Sequence, residues 1–152
     1  LMKNRNEQLT QDVDEKNKEL AVSTMSLIKK NELLAVIKED LKKTSEADGN
    51  KNIKSVITTI TRNINEEDTW NVFKEAFDNA DKDFLKKIKQ AHSSLTPNDL
   101  RLCAYLRLNL SSKEIAPLLN ISVRSVEIKR YRLRKKMDLS HEQGLVEYIL
   151  SI

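Results

Sequence analysis

The chain of 152 residues contains only two glycines, two prolines and one cysteine. Short strands joined by turns need glycine and proline, and half-buried strands show an apolar/polar alternation that is missing here. Even the β-branched stretch at residues 55–60 has its apolar side chains at helical spacing. The sequence therefore predicts an all-α fold.

The scarcity of cysteine, histidine and glycine also limits the chemistry. A lone Cys103 excludes a disulfide framework and a zinc finger, and it fits a reducing compartment as a small buried hydrophobe. His92 and His141 are too isolated for a metal centre, and Gly49 and Gly144 do not form a phosphate-binding loop. We predict no enzymatic activity, no metal and no cofactor.

Long apolar runs are absent as well. No stretch of 18 apolar residues is present, so the sequence predicts no membrane span, and the N-terminus has no signal-peptide core. The chain begins at Leu1 without a helix-entry signal, which suggests a fragment of a longer protein.

Positive charge is concentrated near the C-terminus. Residues 1–50 carry 9 Lys/Arg against 10 Asp/Glu, whereas residues 95–152 carry 10 against 6. Residues 120–137 alone have seven basic side chains and Glu127 as their one acid, a net +6 that exceeds the net +4 of the whole chain. A polyanion is therefore expected to bind there, although a solvated helix face is the simpler explanation for an arbitrary basic run.

The basic segment is predicted to be a capped helix. Ser122 is placed to cap the amide of Ser125, and Val126, Leu133 and Met137 form one apolar stripe. The basic side chains are expected to point away from that stripe: Arg124, Lys129, Arg130, Arg132, Arg134, Lys135 and Lys136.

The N-terminal segment, residues 2–43, has a heptad of apolar residues. The seam consists of Val13, Leu20, Leu27, Leu34 and Leu41, with Thr10, Asn17, Thr24, Asn31 and Lys38 at the other core position. Two interpretations remain open. Either two copies form a parallel homodimer in which Asn17 and Asn31 pair across the axis, or later helices of the same chain cover this helix. The helix is expected to end at residues 44–50, with Gly49 as a left-handed cap.

Several shorter helices follow. One is predicted at residues 52–65, and residues 66–69 are expected to supply the acids and the cap of another, whose Trp70, Phe73 and Phe77 share a core face. From residue 95, Thr96, Pro97 and Asp99 indicate the start of a helix, and Asn109 is expected to end it in the left-handed conformation. Ser111 or Ser112 is predicted to cap a short helix at residues 113–119. Ser140 and Gln143 are expected to form a capping box for a last helix with Leu145, Val146, Ile149 and Leu150 on its apolar face.

A short helix, a three-residue turn at Asn120 and a longer basic helix are typical of a helix-turn-helix. The sequence resembles the DNA-binding domain of LuxR-type regulators at these positions: Leu95-Thr96, residues 113–116, Leu119, Ile121-Ser122, Ser125-Val126 and Lys136-Met137. A narrower similarity is to the variant of this domain in bacterial membrane sensors that carry an outer β-propeller and a triple-tyrosine domain. It covers residues 100–106 and 125–136, with residues 18–21 and 30–32. The resemblance implies a coiled-coil dimerisation helix at 1–48, a short-helix bundle or linker at 49–94, and a four-helix LuxR-type domain at 95–152.

The resemblance also implies the partners and the binding residues. Double-stranded DNA is the expected partner, bound by a homodimer in the cytoplasm, with a membrane link through an upstream segment. Base edges would be read by Glu127, Ile128, Tyr131 and Arg124, and phosphates held by Lys113, Ser125, Lys129, Arg130, Arg132 and Lys135. Glu127 and Lys129 replace the family's usual Lys and His, and Asn109 its usual Gly, so the target sequence cannot be transferred. The alternative is a coiled-coil signalling or scaffold module whose basic helix binds an acidic protein or a membrane surface.

Overall fold

The computed structural model describes residues 2–48, 51–140 and 143–152, and within these ranges it contains eight helices and no strand. The all-α prediction is confirmed. The helices are α1 (Met2–Asp48), α2 (Lys51–Asn63), α3 (Glu66–Ala80), α4 (Phe84–Ala91), α5 (Pro97–Arg107), α6 (Ser112–Leu119), α7 (Val123–Lys136) and α8 (Leu145–Ser151). No helix in the described ranges is long and apolar enough to cross a membrane.

The first helix ends within the segment that the sequence predicted. It continues to Asp48, inside the range of residues 44–50 in which its end was expected. The Thr44 hydroxyl donates to the carbonyl of Asp40 at 3.1 Å, so the polar group of this threonine has a hydrogen-bond partner within the helix. Gly49, the predicted cap, lies outside the described residues.

The buried face of α1 mixes apolar and polar residues. Leu20 and Ile28 are buried together with Thr24 and Asn31, and the helix packs on α2, α3 and α6 of its own chain. The interpretation in which later helices cover α1 therefore describes the chain. Asn31 and Asn17 donate to groups within the chain, so their amides have partners without a second copy.

The predicted heptad seam follows the edge of this buried face. Leu20 is only 8% exposed, whereas Val13, Leu27, Leu34 and Leu41 are half-buried. A seven-residue repeat drifts by about 20° per heptad around a straight α-helix, so only part of such a seam lies fully on the buried face. Leu20 is thus occupied by intrachain packing, and the rest of the seam keeps part of its surface free.

An aromatic core joins the middle of the chain to the C-terminal helices. Asn65 caps α3 by accepting from the Glu67 amide at 2.8 Å, which corrects the expectation that residues 66–69 themselves supply the cap. The rings of Trp70 and Phe77 both pack on Phe73, and Phe73 lies 4.7 Å from the ring of Tyr105 in α5. The predicted aromatic face is confirmed as core. One cluster of buried apolar residues extends from Leu20 in α1 to Ile149 in α8.

The start of α5 follows the predicted capping pattern. The Thr96 hydroxyl accepts from the Asp99 amide at 3.2 Å, and the Asp99 carboxylate accepts from the Thr96 amide at 2.9 Å, with Pro97 in the first turn. Asn109 has φ 59 and ends this segment in the left-handed conformation, as expected. Cys103 is buried, and desolvation, with the negative charge of Asp99, raises its thiol pKa to about 12. The packing role predicted for Cys103 is confirmed.

The last helix starts later than predicted. The capping box at Ser140 and Gln143 is wrong, because α8 begins at Leu145 with Gly144 at its N-cap and without a side-chain cap. The Gln143 amide instead donates to the Ser140 carbonyl at 3.2 Å in a turn that precedes the helix. Leu145 and Ile149 are buried, while Leu150 is exposed.

Candidate nucleic-acid interface

A short capped helix begins the helix-turn-helix. The Ser111 hydroxyl accepts from the Glu114 amide at 3.1 Å, and the Glu114 carboxylate accepts from the Ser111 amide at 2.9 Å, so this reciprocal box fixes the start of α6. Asn120, with φ 54, ends α6 in the left-handed conformation. Ala116, a small residue in the middle of α6, is buried.

The second helix starts as the sequence predicts. Ser122 caps α7 by accepting from the Ser125 amide at 3.1 Å. Val126 and Leu133 are fully buried and Met137 is 4% exposed, so the predicted apolar stripe is confirmed. Packing this stripe on the rest of the domain leaves the opposite face of α7 open to solvent.

The outward face of α7 collects the residues predicted to read base edges. Arg124, Glu127, Ile128 and Tyr131 are spaced at i, i+3, i+4 and i+7, which places them on one side of the helix, and all four are exposed. Ile128 is 42% exposed and Tyr131 59% exposed. The Lys135 ammonium lies 4.7 Å from the Tyr131 ring centroid, one turn further along the same face.

Cationic side chains flank this face. Lys129 and Arg132 on α7 and Lys113 in the first turn of α6 are exposed, and Ser125 is half-buried. Among the described residues, none forms a hydrogen bond or ion pair with the side chains of Lys129, Arg132 or Arg124. These cations are therefore free to bind an external anion.

Three other cations of α7 are used within the chain, which corrects the expectation that all seven point away from the domain. Arg130 donates to the Ser112 hydroxyl at 3.1 Å, Lys136 pairs with Asp99 at 2.6 Å, and Arg134 donates to the carbonyls of Gln143, at 2.6 Å, and Ser140. Their long side chains reach around the helix to α6, α5 and the segment before α8. The helical spacing indicates an inward position for one of them, since Arg130 lies four residues after buried Val126.

The Lys136 contact affects an acid in the cap of α5. Burial raises the pKa of Asp99, but hydrogen bonds from Lys136 and Thr96 outweigh that effect, and the pKa is lower than its ordinary value. Asp99 thus stays ionised near neutral pH and ties the C-terminal end of α7 to the start of α5.

A cleft brings together predicted residues from both helices. It has a volume of about 520 Å³ and is lined by Ser111, Ser112 and Lys113 at the start of α6, by Val123, Glu127 and Arg130 of α7, and by Asn109, Leu110 and Val146. Arg130 is half-buried there, so its guanidinium both contacts Ser112 and borders the cleft. Within the described ranges, no cluster of three or more His, Cys, Asp or Glu is placed to hold a metal ion.

Comparison with protein families identifies this part of the molecule. The family model described as bacterial regulatory proteins, luxR family, matches residues 93–149. These residues form a LuxR-type helix-turn-helix domain. The match begins at Ser93, ahead of α5, and covers α6, α7 and most of α8. Neither the curated proteins nor the solved structures contain a match to the chain.

The LuxR-type domain supports a DNA-binding transcription regulator, the class to which the sequence resemblance pointed. Helix-turn-helix proteins place the second helix of the motif in the DNA major groove. In this chain that helix is α7, with its exposed face of Arg124, Glu127, Ile128 and Tyr131.

Proposed function

We propose that the chain binds specific DNA sequences by inserting α7 into the major groove and thereby regulates transcription, without catalytic activity. The observation that carries this proposal is the outward face of α7. It combines two large exposed side chains, Ile128 and Tyr131, with charged groups that no described residue neutralises, on a LuxR-type domain.

Each residue of that face has a chemistry suited to a base edge. The Glu127 carboxylate can accept from cytosine N4, and Ile128 can contact the methyl group of thymine. Tyr131 offers a hydroxyl and a ring edge, and Arg124 can donate to guanine or to a phosphate. We propose that these four residues set the sequence preference.

We propose that the side chains that flank this face contact the DNA backbone. Lys129, Arg132 and Lys135 of α7 and Lys113 of α6 are exposed cations that can bind phosphates on either side of the groove. Ser125 and Arg130 complete the proposed phosphate set. Arg130 keeps its contact to Ser112 in this arrangement, since a guanidinium has donors to spare.

We further propose that the regulator is a homodimer whose contacts involve Val13, Leu27, Leu34 and Leu41 of α1. These residues are half-buried within one chain, and Val22, Leu33 and Val36 of the same helix are exposed. Such apolar surface on a long helix favours association with a second helix. A two-fold dimer would contact two half-sites separated by one DNA turn, roughly 34 Å.

The cellular context is proposed on the resemblance described above. A regulator that binds bacterial DNA acts in the cytoplasm, and from the similarity to propeller-bearing sensors we propose that this chain is the cytoplasmic output end of a larger, membrane-linked protein. The first 48 residues would then connect the incoming signal to the DNA-binding domain.

Selection from random duplex DNA tests the proposed function. The chain is incubated with a random library, bound duplexes are recovered by gel shift, and the selection is repeated. We expect one motif to be enriched, and Ile128→Ala to alter its base preference. Recovery without enrichment, together with equal binding to anionic vesicles, would instead support the alternative in which the basic helix recognises acidic surfaces in general.

A further inference from the structure

Two asparagines on the docked face of α1 connect this helix to the LuxR-type domain. Asn17 and Asn31 are separated by 14 residues, which corresponds to about 21 Å along the helix. Each donates its side-chain amide to a group outside α1. Thr24 lies midway between them and is also buried, but its hydroxyl donates to the Leu20 carbonyl of its own helix at 2.7 Å.

Asn31 contacts the end of the first helix of the helix-turn-helix. Its amide nitrogen lies 3.4 Å from the Pro117 carbonyl oxygen and 3.4 Å from the Thr69 hydroxyl, so it joins α1 to α6 and α3. The last carbonyls of an α-helix have no partner within the helix. The Ala116 carbonyl accepts from the amides of Asn120 and Ile121, and the Asn31 side chain donates to the neighbouring Pro117 carbonyl. Asn31 thus caps α6 directly before the turn into α7.

Asn17 reaches the end of α8 through two further side chains. It donates at 3.1 Å to the Asp81 carboxylate, and the same oxygen accepts from Arg107 at 2.8 Å. Arg107 also donates to the carbonyls of Ile149, at 2.8 Å, and Leu150, at 3.0 Å. The Arg107 and Asp81 side chains are 13% and 10% exposed, so this ion pair is poorly accessible to water.

These polar contacts do not simply add stability. The side-chain oxygens of Asn17 and Asn31 are buried, and no described residue donates to them. An unpaired buried polar atom costs roughly 1 to 3 kcal/mol, which offsets much of what the hydrogen bonds from the same two amides contribute. Directional amides do, however, constrain geometry: moving α1 by one residue turns each side chain by about 100° and separates it from its partner.

We propose that Asn17 and Asn31 are positioning residues for DNA binding, which set α1 against the C-terminal ends of α8 and α6. This inference rests on the proposed function. When α1 rotates or shifts, the Pro117 carbonyl loses its cap and α6 is no longer held beside the turn that orients α7. The position of α1 is thereby transmitted to the recognition helix.

The experiment compares DNA affinity with thermal stability in Asn31→Leu, Asn17→Leu and the control Thr24→Val. Since leucine removes the unpaired oxygen together with the hydrogen bond, the two effects offset each other, and we expect the midpoint of unfolding of each asparagine variant to stay within about 4 °C of the wild type. The affinity for a selected duplex should nevertheless fall at least about fivefold, the lower range of coupling between sites. Thr24→Val should leave the affinity unchanged. Equal affinities in folded Asn31→Leu and wild-type protein would overturn the inference, as would an equal loss in Thr24→Val.

A second measurement separates this inference from the proposed function, because it needs no DNA. Amide hydrogen exchange at Ile121, in the turn after α6, should be faster in Asn31→Leu than in Thr24→Val. If the wild-type chain bound no duplex, the proposed function would fail, while the exchange result would still decide whether Asn31 holds the turn. If Asn31→Leu does not fold, Asn31→Ser provides the same comparison without a large apolar side chain.

Discussion

The helices α1 and α7 both carry many charges, yet they pack in different ways. α7 buries only apolar residues, Val126, Leu133 and Met137, and three of its cations bind neighbouring segments. α1 buries Thr24 and Asn31 beside Leu20 and Ile28. α7 is held mainly by the packing of apolar side chains, whereas α1 also has polar side chains with partners in other helices. We therefore propose that α7 keeps a fixed position on the domain, and that a change in the position of α1 would break specific hydrogen bonds.

The largest expected effect concerns the apolar stripe of α7. Leu133 is fully buried, so Leu133→Ala should lower the free energy of unfolding by about 3 kcal/mol. Leu34→Ala in α1 removes a half-buried side chain and should cost less than about 1.5 kcal/mol. Urea unfolding of both variants measures the difference. Equal losses would mean that the two helices are packed alike.

Association through α1 is the next prediction. The double variant Leu27→Asp and Leu34→Asp places charges on the half-buried seam, and it should turn a dimer into a monomer at micromolar concentration in sedimentation. Glu32→Gln, an exposed change on the same helix, is the control. A wild-type chain that sediments as a monomer would restrict the seam to intrachain packing.

The smallest effect is the pH dependence of the contact between α7 and α5. Because the folded pKa of Asp99 is lowered, its ionisation contributes stability above the unfolded value of about 3.9, and this contribution disappears as the pH falls through the folded pKa. The difference in unfolding midpoint between wild type and Asp99→Asn should therefore shrink between pH 6 and pH 2. A difference that stays constant over this range would exclude a role for the Asp99 charge.

Much of the fold and the candidate interface could be predicted because the signals were local. The caps at Thr96 and Ser122 and the left-handed Asn109 depend on neighbouring residues alone, and the stripe of α7 follows helical periodicity. The prediction for α1 was incomplete because heptad spacing does not distinguish a second copy of the chain from later helices of the same chain.

Long-range partners account for the other differences. Nothing near Arg134 in the sequence indicates that it reaches the carbonyls of Gln143 and Ser140, and nothing near Asn17 points to Asp81, which follows 64 residues later. Side chains of arginine and asparagine fit both solvent and buried polar sites, so their roles depend on the tertiary structure.

The salt dependence of DNA binding tests most directly whether the outward cations of α7 bind phosphates while the inward ones hold the helix. The proposed phosphate set has four exposed cations in each subunit, Lys113 of α6 and Lys129, Arg132 and Lys135 of α7, so the proposed dimer would neutralise roughly eight phosphates, and log Kobs should fall with log salt at a slope of about −7. The double variant Lys129→Ala and Arg132→Ala should reduce the slope to about −4. Arg134→Ala, which removes an internal contact, should keep the wild-type slope. A wild-type slope shallower than about −2, or equal slopes for both variants, would contradict this account.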